Sequence, residues 1–104
     1  IPSVYSQTQA WRVVYGADRD IQDAYYEIRL IRKNLDLSAE LFKKEGKYRS
    51  VVRFKSEVDA SKKLPDITKI YPERKPYVIN LNNWCPNWSQ NSTNLNGISY
   101  YMCR

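Results

Sequence analysis

A chain of 104 residues that is 42% hydrophobic and 13% aromatic can build one domain with its own core, and that composition excludes a disordered polymer. Lys and Arg number 17 against 11 Asp and Glu, a formal charge of +6, which suits a polyanionic partner or serves solubility alone. Histidine is absent, so Ser–His and Cys–His catalysis within the chain is excluded and the commonest metal ligand is missing.

Residues 1–9 are polar and aperiodic and read as a linker or arm. Ile1-Pro2-Ser3 lacks a basic n-region and an apolar h-region, so the expectation is a mature product or an excised domain. Trp11 to Tyr15 reads as a strand rich in β-formers and closed by Gly16. Asp18-Arg19-Asp20 supplies helix-capping oxygens. Ile21, Ala24, Tyr25, Ile28, Ile31 and Leu35 then recur at intervals of three and four, the spacing of an amphipathic helix. Arg29, Arg32 and Lys33 crowd its last turns, where they complement the helix dipole.

Leu37 to Lys44 reads as a second strand, and Glu45-Gly46-Lys47 as a short turn into a third strand ending at Phe54, together a hairpin. Ser56 with Asp59 resembles a capping box. Val58, Leu64 and Ile67 continue a shorter helix, in which Pro65 predicts a break or kink. Tyr71-Pro72 ends that element, and Tyr77 to Leu81 reads as a fourth strand. No run approaches the roughly 20 apolar residues that span a bilayer.

The remaining residues, 85–104, form a tail holding both cysteines, Cys85 and Cys103. Two thiols without histidine do not complete a zinc site unless carboxylates or another chain contribute. A disulfide closing a loop of about 17 residues is the better reading, worth about 3 kcal/mol, and it implies an oxidising compartment. Two free buried thiols are the alternative. Asn87-Trp88-Ser89 and Asn91-Ser92-Thr93 match the glycosylation sequon but arise easily by chance in so Asn- and Ser-rich a tail.

The order β-α-β-β-α-β predicts an α+β, ferredoxin-like fold over residues 10–84: a four-stranded antiparallel sheet with two helices on one face. The other face is expected to stay open. Period-2 alternation puts Trp11, Val13 and Tyr15 with Tyr48, Ser50, Val52 and Phe54 under the helices. Arg12, Val14, Arg49, Val51 and Arg53 then line the open face, a basic and partly apolar floor. Phe42, Tyr48, Trp84 and Trp88 are aromatic candidates for stacking a ligand beside it. Packing competes for each of them, and Trp84 next to Cys85 is expected to cover a sheet edge or the disulfide.

The first-strand segment Trp11-Arg12-Val13-Val14-Tyr15-Gly16, with Ala24, Tyr48-Arg49, Phe54-Lys55-Ser56, Ala60 and Tyr77-Val78-Ile79, resembles the SPOR (sporulation-related repeat) domain of bacterial cell-envelope proteins. The resemblance spans about residues 10–84. It departs at Val14, where the family often has Gln, and at Val51-Val52-Arg53-Phe54, where it often reads Val-Gly-Pro-Phe. What it implies is binding of peptidoglycan glycan strands through the open face, in the periplasm or cell envelope. On that reading Arg12, Val14, Phe42, Arg49, Val51 and Arg53 form the ligand-binding set. Arginine forks there would take carboxylates.

The alternatives are a protein-interaction accessory domain of a larger chain and, less favoured, a single-stranded nucleic-acid-binding module. The last lacks aromatics on the central strands of the expected open face and any Lys/Arg-Gly-Phe-type motif. No nucleophile–base pair or paired-carboxylate motif stands out, so neither catalysis nor a cofactor is expected.

Overall fold

The structure is a computed structural model that describes residues 10–103; the expected arm at residues 1–9 lies outside the described residues. Strand β1 (Trp11–Asp18) leads to helix α1 (Ile21–Leu35), and strands β2 (Ala39–Lys44) and β3 (Lys47–Phe54) lead to helix α2 (Glu57–Ile70). A 3₁₀ turn, Pro72–Arg74, precedes β4 (Tyr77–Asn80) and the one-turn helix α3 (Leu81–Trp84). A second 3₁₀ turn, Trp88–Gln90, leads to β5 (Ser92–Leu95) and β6 (Ile98–Met102).

The sheet overturns the expected four-stranded antiparallel, ferredoxin-like fold. It has six strands in the order β4-β1-β3-β2-β6-β5, and it is mixed because β6 runs parallel to β2. The segment expected to be a tail thus folds back as a hairpin and extends the sheet beyond β2. The chemistry that allows this is local. Asn96 and Gly97 carry φ of 55° and 79°, the same left-handed pair that Glu45 and Gly46 adopt between β2 and β3. Two positive-φ residues form the turn that matches the twist of a two-residue hairpin. Each places its flanking residues opposite one another, Leu95 with Ile98 and Lys44 with Lys47.

Both long helices begin as their caps dictate. Asp20 accepts the Gln22 N–H at 2.7 Å, and Ser56 accepts the Asp59 N–H at 3.1 Å. Helix α1 ends at Asp36, left-handed with φ 54°, whose N–H returns to the Arg32 carbonyl. The break expected at Pro65 does not occur, because α2 runs through it from Glu57 to Ile70. Proline removes one helix hydrogen bond. Here both Pro65 and Ser61, one turn earlier, face solvent, so the carbonyl left without a partner is open to water.

Alternation along the strands sorts the side chains into two cores. On the helix side Val13, Tyr15, Val52 and Phe54 pack with Ile31, Ala60 and Ile67. Tyr48 and Leu41 pack there with Ile21, Ala24, Ile28 and Ile98. The opposite face carries a core of its own: Ala10, Val14, Phe42, Val51, Leu81 and Cys85, with Trp84, Trp88, Tyr101 and Cys103 packed against it. Cys85 and Cys103 form a disulfide that joins the end of α3 to the end of β6.

Candidate functional site

The face expected to stay open is therefore covered. Val51 and Phe42 are fully buried, and Arg12 is 1% exposed. The cover consists of Trp84, Trp88 and Tyr101, whose ring centroids lie 5.9, 6.1 and 5.0 Å from that of Phe42. Lys44 pins it by donating from Nζ to the Trp84 carbonyl at 2.8 Å. Trp84 thus covers the sheet face beside the disulfide, packing in one cluster with Cys85 and Cys103.

Burial changes what the arginines do. Arg12 Nε and Arg53 Nε each stand 3.3 Å from the same oxygen, Glu40 Oε1. Arg12 also donates from Nη1 to the Trp11 carbonyl at 3.1 Å, and its guanidinium lies 5.7 Å from the centre of the Trp88 ring. Burial lowers its pKa from the usual arginine range, with Glu40 opposing that shift. A guanidinium so enclosed is an internal charge held by Glu40, not a ligand-facing group. Arg53 is the exposed end of the pair, at 53%.

Arg49 behaves differently. Its Nε donates to the Lys44 carbonyl at 3.3 Å, and Nη2 lies 3.7 Å from Glu45 Oε1. It also borders a cleft of about 240 Å³ lined by Val14, Tyr15, Gly16, Ala17, Arg49, Arg74 and Tyr77. Of the six residues proposed from sequence, only Val14 and Arg49 line this cleft. Arg12, Phe42 and Val51 lie under the C-terminal cover, and Arg53 stands outside the cleft.

The cleft exists because β1 outruns its neighbour. β4 pairs with β1 only from Trp11 to Val14, where Val14 meets Tyr77. β1 continues to Asp18, and its register on β3 slips between Val14 and Gly16, so that Gly16 faces Ser50. An extra residue of this kind bends a strand and re-aims its side chains. Past the end of β4 the outer edge of β1 is open to Arg74 and Tyr77.

Space at Gly16 is limited. A Cβ there would stand 3.1 Å from Arg74 Nη1 and 3.2 Å from Ser50 Oγ, a tight fit that a small side chain meets by a slight shift of the arginine and that a branched one crowds. From sequence Gly16 read as the end of a strand; it lies inside β1, with Arg74 packed close to its backbone.

Arg74 reaches the cleft from the Pro72–Arg74 turn. Its Nη2 pairs with Glu27 Oε1 at 2.5 Å, and its guanidinium lies over the Tyr71 ring at 5.1 Å. Burial works against its charge, but the Glu27 contact outweighs that and raises its pKa. Beneath it, the Tyr15 hydroxyl donates to the Glu27 carbonyl at 3.2 Å. Burial first, and then the neighbouring Tyr71 and Glu27, raise the Tyr15 pKa above the ordinary phenol range. Burial and Glu27 push Tyr71 up to about 12. Asp18 is raised by burial, with Arg74 opposing.

The cleft thus presents an open backbone edge, two guanidinium groups and the 44% exposed ring of Tyr77. Among the described residues, no group of three or more His, Cys, Asp or Glu is arranged to hold a metal. No helix there is long and apolar enough to cross a membrane. Sequence reasoning missed Arg74 and Tyr77, which the turn after α2 brings to β1. Comparison of the chain with protein-family models, with curated proteins and with solved structures gives no match.

Proposed function

We propose that the chain is a non-catalytic binding module of the bacterial cell envelope, a divergent relative of the SPOR domains. On this reading it takes up peptidoglycan glycan strands in the cleft of Arg49, Arg74 and Tyr77 rather than on the covered face. The supporting observation is the convergence of two guanidinium groups and an exposed aromatic ring on one cleft of about 240 Å³. Sugar rings stack on aromatic faces, and their hydroxyl, amide and lactyl carboxylate oxygens accept hydrogen bonds. Guanidinium forks supply such donors in fixed geometry and bind carboxylates bidentately. The disulfide between Cys85 and Cys103 is compatible with the oxidising, extracytoplasmic setting that this function requires.

The test is co-sedimentation with intact sacculi, with amidase-treated sacculi and with single-stranded RNA, comparing the native protein with Arg49→Glu/Tyr77→Ala. Selective retention on the treated wall that the double substitution abolishes is the expected result. Equal retention on both walls, lost at modest salt, reduces the reading to nonspecific charge. Retention on RNA alone refutes it.

A further inference from the structure

Helix α1 carries a second surface that the cleft does not use. Its outward face holds Tyr26, Arg29, Leu30, Arg32 and Lys33, which line a hollow of about 460 Å³. Tyr26 is 59% exposed, more than any other described tyrosine, although its ring is a large apolar group. Arg32 also borders a second hollow of about 260 Å³, where Tyr25 and Ile28 of α1 face Gly97, Ile98 and Ser99 at the start of β6. The two hollows meet at Arg32 and form one track across the helix.

The hollow on α1 is basic, whereas Glu40 borders the second hollow together with Arg32. Among the described residues Arg29, Arg32 and Lys33 take part in no ion pair. Between Ala24 and Leu35 the one acidic residue is Glu27, which is buried and turned inward to Arg74. Three exposed cations thus line the hollow beside Tyr26 and Leu30, and none of them is held in an ion pair. A dipole-complementing helix end needs cations, but it does not need an exposed aromatic and a leucine between them.

We propose that this face of α1 is a docking site for an acidic, apolar-bearing peptide segment of a partner protein. Charge complementarity selects the acidic side chains, while Tyr26 and Leu30 offer apolar contact to the side chains between them. The hollows are bounded depressions of about 460 and 260 Å³ that suit individual side chains of a peptide; a nucleic acid and an anionic membrane surface are the competing occupants that the test separates. The site lies on α1 and shares no lining residue with the Arg49 cleft, so it stands or falls separately from glycan binding.

The test is fluorescence anisotropy at about 0.15 M salt with a labelled decapeptide of alternating Glu and Leu. Polyglutamate of equal length, a single-stranded DNA oligomer and anionic phospholipid vesicles serve as competitors. Saturable binding is expected, weakened at least about tenfold by Arg29→Glu/Lys33→Glu and clearly weakened by the neutral change Tyr26→Ser. Both variants alter exposed side chains, and circular dichroism verifies their folding. Sedimentation of the same variants with amidase-treated sacculi is expected to be unchanged. Equal displacement by polyglutamate, stronger displacement by DNA or vesicles, or indifference to Tyr26→Ser each overturns the proposal.

Discussion

Replacing Glu40 with Gln tests whether the sheet face is sealed. Glu40 Oε1 serves both Arg12 and Arg53 at 3.3 Å, and Arg12 is 1% exposed at the side chain. Removing the carboxylate charge leaves the Arg12 guanidinium buried against Trp88 and the Trp11 carbonyl. Loss of a carboxylate partner by a buried charge costs up to about 3–5 kcal/mol. The amide retains a weak acceptor, so the lower end of that range, about 3 kcal/mol, is expected. Thermal unfolding should then occur roughly 12–24 °C lower for a domain of this size.

Two controls fix the interpretation. Arg53→Ala breaks the exposed half of the pair and is expected to cost less than about 1 kcal/mol. The double change Arg12→Met/Glu40→Leu removes both buried charges and is expected to restore stability to within about 1 kcal/mol of the native protein, or to exceed it. Equilibrium urea unfolding followed by tryptophan fluorescence reads all three. A loss below about 1 kcal/mol for Glu40→Gln, equal to that of Arg53→Ala, would mean that Arg12 reaches water; the covered face would then be wrong.

Three further outcomes are expected. Reduction of Cys85–Cys103, or its replacement by serines, should lower stability by about 3 kcal/mol, since the bond closes a loop with a sequence separation of 18; an unchanged urea midpoint under reductant refutes this. Tyr71, held at about 12 in the fold against an ordinary value of 10, contributes stability that is complete below pH 10 and is lost as pH rises toward 12. Tyr71→Phe should therefore flatten that alkaline loss, as read by thermal melts across the window. Gly16→Val should displace Arg74 and abolish retention on amidase-treated sacculi in protein that still folds by circular dichroism; retained binding would exclude the cleft as the glycan site.

How much was legible from sequence depended on how local each determinant was. The strand faces followed from alternation at Val13, Val14, Val51 and Val52, and the helix starts from Asp20 and Ser56. The disulfide followed from two cysteines placed near one another in a chain without histidine. The added hairpin was in principle readable, because Leu95-Asn96-Gly97-Ile98 is a strong two-residue turn between β-forming residues. What no local pattern carries is where that hairpin docks. The parallel pairing of Phe42 with Tyr101 and Lys43 with Met102 depends on residues far apart in the chain. The fate of Arg12 and Phe42 hung on that pairing, and so did the candidate site. Arg74 and Tyr77 escaped notice for the same reason, since the turn after α2 and the pairing of Tyr77 with Val14 bring them to the edge of β1.

The parallel docking of β6 on β2 also bears on biosynthesis. Strand β6 pairs with β2 through Phe42 and Tyr101, and β4 with β1 through Trp11 and Asn80, so both pairings join distant parts of the chain. Contacts of such long sequence separation form late in folding. Until they do, Val14, Phe42 and Val51 face water as a continuous apolar patch, the kind of surface that drives aggregation of partly folded chains. A chain halted before Ile98 would lack Tyr101 and the disulfide from the cover of that patch. Docking of the β5–β6 hairpin on β2, held by the Cys85–Cys103 disulfide, is thus also the step that withdraws an aggregation-prone surface from water.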